Sequence, residues 1–354
     1  MSLKQWLALN ASGNRRVAPR RVVTGFAAGY QNGSNWQDDP IRDISATGLF
    51  LFNENRWQPG TQILLNLHRA GTDVLEHGDQ CVSMNARAVR SSRDGVGLAF
   101  ELPRGFSKSQ WVDLVESAAS ETPSGDVVNS FRMARSLAFL TWISAPAGNN
   151  VCQRLRSLVT GQRFWNAIEI ALQADAFLAT RPNPGLAHCS PALVLKTLED
   201  GSWAEEDVLQ RGWAGILAAA CLEPDSESQL KLTELFSQLT LPHFRILGAA
   251  CTQAEKNETG KGMIASQPLV ATADEIMRVS GFRDFLRMER ALQLLAELGL
   301  VEESYKTSMC LPVEGINITP TPLGLQLYAH CAGHLGTLGS FYGVPAPVQV
   351  ATGG

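Results

Sequence analysis

Apolar residues recur at every second position through residues 22–102 and at every third or fourth position beyond residue 104, so one chain carries two kinds of architecture. In the first stretch Leu49-Phe50-Leu51-Phe52 is a short apolar run, and Ile63, Leu65 and Leu67 alternate with polar residues. Val82, Met84, Ala86 and Ala88 keep the same period, as do Val96, Leu98 and Phe100. Turn residues punctuate these runs: Asn32-Gly33-Ser34, Pro59-Gly60, Gly71, Gly78-Asp79 and Asp94-Gly95. Asp94-Gly95 suits a tight hairpin, because glycine accepts the positive φ that joins two twisted strands. Five or six short strands over this span predict a small antiparallel barrel, with a long first hairpin over residues 29–40.

The remainder reads as helix. Residues 107–120 place Trp111, Leu114 and Val115 on one side, and residues 121–126 (Glu-Thr-Pro-Ser-Gly-Asp) read as a linker. Helices are expected over residues 154–178, 203–222 and 229–241, with Pro182, Pro184 and Pro191 breaking the first two apart. Trp203, Leu209, Trp213, Ile216 and Leu217 form a stripe expected in the core. Thr272 and Glu275 are spaced as a capping box, and Phe285, Met288, Leu292 and Leu295 make a stripe that Gly299 ends. Leu300-Val301 and residues 316–319 could pair as a two-stranded wing, and Pro322 sits where a last helix would begin. This text resembles a winged helix–turn–helix unit.

The fold class expected is therefore α+β and multidomain: a six-stranded antiparallel barrel, then an α-helical region ending in a winged-helix-like segment. The corresponding segments are residues 1–104 (barrel), 105–130 (helix and linker), 131–240 (helical domain), 241–335 (winged-helix-like) and 336–354 (a flexible tail). A length of 354 residues agrees with more than one domain. With 45% hydrophobic and 18% charged residues, a disordered chain is excluded.

A net charge of −4 excludes a protein that coats nucleic acid by bulk charge, yet the charge is uneven. Residues 1–104 hold 12 Lys/Arg against 9 Asp/Glu, whereas the rest hold 18 against 25. An anion would find its site at the front. The seven cysteines stand singly without a CxxC, which points to a reducing compartment rather than a disulfide framework. Residues 1–21 lack the pattern of a signal peptide, and apolar runs such as residues 214–222 fall short of the roughly 20 residues a membrane helix needs. A cytoplasmic protein without membrane insertion is expected.

The chemistry lies at the front of the barrel. Arg15-Arg16-Val17-Ala18-Pro19-Arg20-Arg21 precedes the first strand, and Asp43-Ile44-Ser45-Ala46-Thr47-Gly48 leads into the Leu49 run. Arg16 and Arg20 are planar forks that can take a guanine O6/N7 edge or a phosphate bidentately. Asp43 can accept from guanine N1–H and N2–H, a donor pair adenine lacks. Ser45 offers a hydroxyl to a phosphate oxygen, and Gly48 permits close backbone approach. Each half alone has a plainer reading: a basic arm is ordinarily solvated, and Asp-x-Ser ordinarily makes a turn. A guanine bearing a phosphate would satisfy both halves together.

In order and spacing these residues resemble the PilZ domain, a receptor for the bacterial second messenger cyclic di-GMP, whose signature is RxxxR followed by [D/N]xSxxG. Arg16 and Arg20 are the one pair in the arginine cluster that fits the first half, and Asp43, Ser45 and Gly48 fit the second. The resemblance covers residues 12–104 and implies a six-stranded barrel with the arginines on an arm that closes over the ligand. It further implies that Arg15, immediately before RxxxR, favours an intercalated pair of cyclic di-GMP molecules. Asp38 and Asp39 depart from an anion site and could crowd the ligand or lie in solvated loop.

Other constellations are weaker. His330 and His334 are spaced i, i+4 near Cys331 but lack further ligands, so no metal is expected. His188-Cys189 reads as packing rather than a thiol nucleophile, and Gly260-Lys261-Gly262 lacks phosphate-loop spacing. Arg283, Arg287 and Arg290 share a helix face that could meet DNA, against the acidic balance around them. The expectation is a non-enzymatic cyclic di-GMP receptor without cofactor, which signals to a protein partner through its helical region. The alternative is a DNA-binding or protein-docking regulator with a degenerate barrel.

Overall fold

The computed structural model describes residues 18–53, 57–71, 81–122, 126–180, 189–222, 226–259, 263–302 and 315–344. The chain forms two compact units, which divide between Trp142 and Ile143.

The first unit is built on seven strands: β1 (Arg21–Val22), β2 (Phe26–Asn32), β3 (Asn35–Ser45), β4 (Gly48–Leu51), β5 (Gln62–Arg69), β6 (Val82–Ser91) and β7 (Val96–Phe100). Their order is β1-β3-β2-β5-β6-β7-β4, and β4 returns to pair with β3, closing a six-stranded antiparallel barrel. Closure removes the free edges a small sheet would otherwise expose. The period-two residues face inward: Leu49, Leu51, Leu65, Leu67, Val82, Met84, Ala86, Val96 and Leu98 are all buried. β1 lies outside the closed ring, pairing Arg21 with Ile44 and Val22 with Asp43.

The hairpin expected over residues 29–40 forms, and its polar text is paired strand rather than solvated loop. β2 and β3 pair continuously from Ala27↔Pro40 to Asn32↔Asn35, leaving a two-residue turn at Gly33-Ser34. The polar text there is a ribbon stabilised by its own side chains. Asp38 accepts from the Trp36 indole at 3.1 Å and lies 3.1 Å from His68 Nε2, while Asp39 accepts from Tyr30 and Asn53. Both carboxylates are engaged by the ribbon, several residues along β3 from Asp43.

Two helices complete this unit. α1 (Lys108–Glu121) starts at the Ser107–Gln110 capping box and buries Trp111, Val112, Val115 and Ala118. α2 (Val127–Ile143) starts where Asp126 accepts from the Val128 amide at 3.0 Å and from Arg69 Nη2 at 2.7 Å. Phe131 of α2 meets Phe100 of the barrel edge-to-face at a centroid separation of 5.4 Å.

The second unit is mainly helical: α3 (Gly148–Leu158), α4 (Gln162–Ala179), α5 (Pro191–Gly201), α6 (Asp207–Ala220), α7 (Ser226–Ser237) and α8 (Leu241–Gln253). A hairpin of β8 (Lys256–Thr259) and β9 (Met263–Ser266) follows, then β10 (Val270–Ala271), α9 (Ala273–Ser280) and α10 (Phe285–Glu297). β11 (Ile316–Asn317), α11 (Pro322–Cys331) and α12 (Leu338–Tyr342) end the described chain.

Several expectations shift in this unit. The helix expected over residues 154–178 is two, because Gly161 adopts φ +60° between them. Pro191 starts α5 rather than breaking a helix, since the first turn needs no amide donor there. Trp203 leaves the core stripe and is 69% exposed, with the Arg163 guanidinium 3.8 Å from its ring centre. Leu209, Trp213, Ile216 and Leu217 are buried as expected. The Thr272 capping box and the Gly299 stop also form, whereas the expected wing shifts: Val301 bridges Pro320 antiparallel, and Ile316-Asn317 pair with Val270-Ala271 instead of Leu300-Val301. A Cβ on Gly215 would strike the His330 carbonyl, so α6 and α11 pack at glycine distance. None of the described helices is long and apolar enough to cross a membrane.

Candidate functional site

The two halves of the arginine–aspartate motif meet on the outside of the barrel. β1 carries the arm alongside β3, and this pairing delivers Arg20, next to the strand, to Asp43. Arg20 Nη1 donates to Asp43 Oδ1. Arg42 holds the other oxygen, with Nε and Nη2 each 2.8 Å from Asp43 Oδ2. Asp43 is 7% exposed, and its charge is balanced by two guanidiniums.

Arg42 and Asp43 are consecutive, so a regular strand would send them to opposite faces. The β3–β4 register slips between Ile41 and Asp43, leaving Arg42 as the extra residue. A bulge of this kind re-aims a side chain, and here Arg42 reaches the Asp43 carboxylate. The same guanidinium lies over Phe50, 3.6 Å from the ring centre. Asp43, Phe50, Gly97 and Arg90 follow one another across four paired strands. Gly97 leaves room for Arg90, whose Cγ lies 2.9 Å from where a Cβ would stand, and Arg90 lies 5.9 Å from the Phe50 centre.

The remaining motif positions shape the turn between β3 and β4. The Ser45 hydroxyl donates to the Gly48 carbonyl at 3.1 Å. A Cβ on Gly48 would press into the Leu98 carbonyl of β7, so the close approach this glycine permits is between strands. Trp111 of α1, fully buried, donates its indole N–H to the Ala46 carbonyl at 2.7 Å, tying the turn to the helix. A groove beside the arm is lined by Pro19, Arg21, Ser45, Glu116, Val127 and Phe131. Burial lowers the Arg21 guanidinium from its ordinary value, and the Glu116 carboxylate acts in the opposite sense.

Of the residues singled out in the sequence, Arg20, Asp43, Ser45 and Gly48 are brought to one edge of the barrel, around the start of the arm and the β3–β4 turn. Arg15 and Arg16 lie outside the described residues, as do His188, Gly260-Lys261-Gly262 and most of the tail over residues 336–354. Arg42, Phe50, Arg90 and Trp111 were not singled out as site residues. Alternation alone sends Arg42 away from Asp43, and only the bulge reverses that. Among the described residues, no group of three or more His, Cys, Asp or Glu is arranged to hold a metal ion. His334 instead accepts or donates locally at Thr337 and Ser340, 3.0 Å from each.

This edge offers guanidinium forks, one acceptor carboxylate and an aromatic face, a set suited to a planar base carrying phosphate. Residues 14–116, under a third of the chain, match the family model of the PilZ domain. That family comprises receptors for cyclic di-GMP. No curated protein matches the chain.

Proposed function

We propose that this protein is a cyclic di-GMP receptor whose barrel takes the dinucleotide between the arginine arm and the β3–β4 turn. The observation that carries the reading is the meeting of Arg20 with Asp43, residues from the two halves of the motif, on one barrel edge. Arg16 and Arg20 hold phosphate and the guanine edge, Asp43 accepts from guanine N1–H and N2–H, and Ser45 reaches a phosphate oxygen. Gly48 keeps the turn close to β7. Arg15 would serve a second, intercalated cyclic di-GMP. The role is that of a receptor rather than an enzyme, without metal or cofactor, in the cytoplasm.

Titration calorimetry of the full chain with cyclic di-GMP should show micromolar or tighter binding, lost in Arg20→Ala and absent with cyclic di-AMP. No heat from the wild type would end this reading.

The output passes to the second unit and, through it, to a protein partner. Its C-terminal part supports a winged-helix reading: α8, β10, α9 and α10 follow in order, and β10 pairs with β11 beside the Val301–Pro320 bridge. A second reading, DNA binding, is favoured by the exposure of Arg283, Arg287 and Arg290 on and just before α10. A salt-dependent shift of duplex DNA by the full chain would support it, and the acidic surroundings weigh against it.

A further inference from the structure

We propose that Arg42 and a guanine base compete for one place, so that Arg42 is an internal latch setting the affinity of the barrel for its ligand. The inference rests on the cyclic di-GMP reading and adds to it a residue outside the motif. Three observations carry it. Arg42 presents two N–H donors of one planar group to Asp43, at 2.8 Å each, as guanine would present N1–H and N2–H. Its guanidinium lies over Phe50, 3.6 Å from the ring centre, on the aromatic face a base would otherwise stack against. The β3 bulge places it there against the alternation of the strand.

Acceptor capacity makes the two occupants exclusive. A carboxylate offers about four lone-pair sites. Arg20 takes one on Oδ1, and the Arg42 fork takes two on Oδ2. A guanine needs two acceptor sites, so Arg42 must leave Asp43 as the base arrives. On leaving it also uncovers the Phe50 ring, which is otherwise only 2% exposed and is flanked by Arg90 at 5.9 Å. Arg42 is the partner with room to leave towards solvent, its side chain 38% exposed against 10% for Asp43. The latch thus lowers affinity by the strength of one ion pair and one cation–π contact.

Charge and latch predict opposite signs, which makes the idea testable. Removing a cation near an anionic dinucleotide should weaken binding, whereas removing a competitor should strengthen it. Arg42→Lys keeps the charge but loses the planar fork and most of the stacking. Calorimetry of the full chain with cyclic di-GMP should give roughly three- to thirtyfold tighter binding for Arg42→Lys than for wild type. Arg42→Met, which has neither fork nor charge, should also bind more tightly than wild type, and matched melting temperatures would show that both variants fold. If wild type binds and Arg42→Lys binds equally or more weakly, the latch is refuted and the receptor reading stands. If neither wild type nor variant binds, the receptor reading falls and the latch falls with it.

Discussion

Gly48→Ala separates two accounts of the same motif glycine, one in which it makes room for ligand and one in which it makes room for the barrel. A Cβ at this position would lie roughly 1 Å inside the 3.4 Å at which ordinary contact with the Leu98 carbonyl oxygen begins, and 3.1 Å from Ala99 Cα. Both obstacles are backbone, so neither can rotate away. β4 would have to lift from β7 along the pairings Gly48↔Ala99, Leu49↔Leu98, Phe50↔Gly97 and Leu51↔Val96. Overpacking of this kind costs about 1–3 kcal/mol. Each ladder hydrogen bond weakened by the shift adds about 0.5–1.5 kcal/mol. Leu49 and Leu51, fully buried on β4, would lose packing as well. A total of about 2–4 kcal/mol follows, large for a unit held by a margin of about 5–15 kcal/mol. Differential scanning calorimetry of the full chain should show the barrel transition falling by about 10 °C, with the second unit unmoved. A variant that melts with wild type yet fails to bind cyclic di-GMP would refute the argument and return the glycine to the ligand.

Four further outcomes follow from particular contacts. Asp43→Ala removes the charge that two guanidiniums share and the acceptor that tells guanine from adenine, so cyclic di-GMP binding should fall at least tenfold in calorimetry. Trp111→Phe leaves the Ala46 carbonyl without its buried donor, and chemical denaturation should show about 1–3 kcal/mol less stability. Burial lowers the His243 pKa, and neutral Nδ1 accepts from the Thr240 amide at 3.1 Å at the start of α8. The unfolded chain therefore binds this proton first, so melting of the second unit should fall as pH drops through about 6.5 and below, and His243→Gln should flatten that slope. The Cys251 thiol, buried and pushed up to about 12, should resist alkylation at pH 8 in the native protein and react once it is denatured, as read by mass spectrometry.

The sequence by itself determined the barrel and singled out four residues that the fold gathers at one of its edges. Period-two runs bounded by Gly and Asp text specify strands, because each strand buries one face, and the β4–β7 residues occupy the places their spacing assigns them. Arg20, Asp43, Ser45 and Gly48 were legible because each carries its chemistry in its residue type. Helix starts at Ser107, Thr272 and Thr321 were legible too, since a cap is a local interaction between near neighbours. Only the tertiary structure decided what depends on residues far apart in the chain. Asp38 and Asp39 of the first hairpin found partners beyond β3, His68 for the first and Tyr30 and Asn53 for the second. Trp203 went to the surface although its spacing places it in a buried stripe. Above all, the bulge at Arg42 turned a residue that alternation sends away from Asp43 into its partner. A register slip arises from the pairing of two strands, and neither strand records it alone.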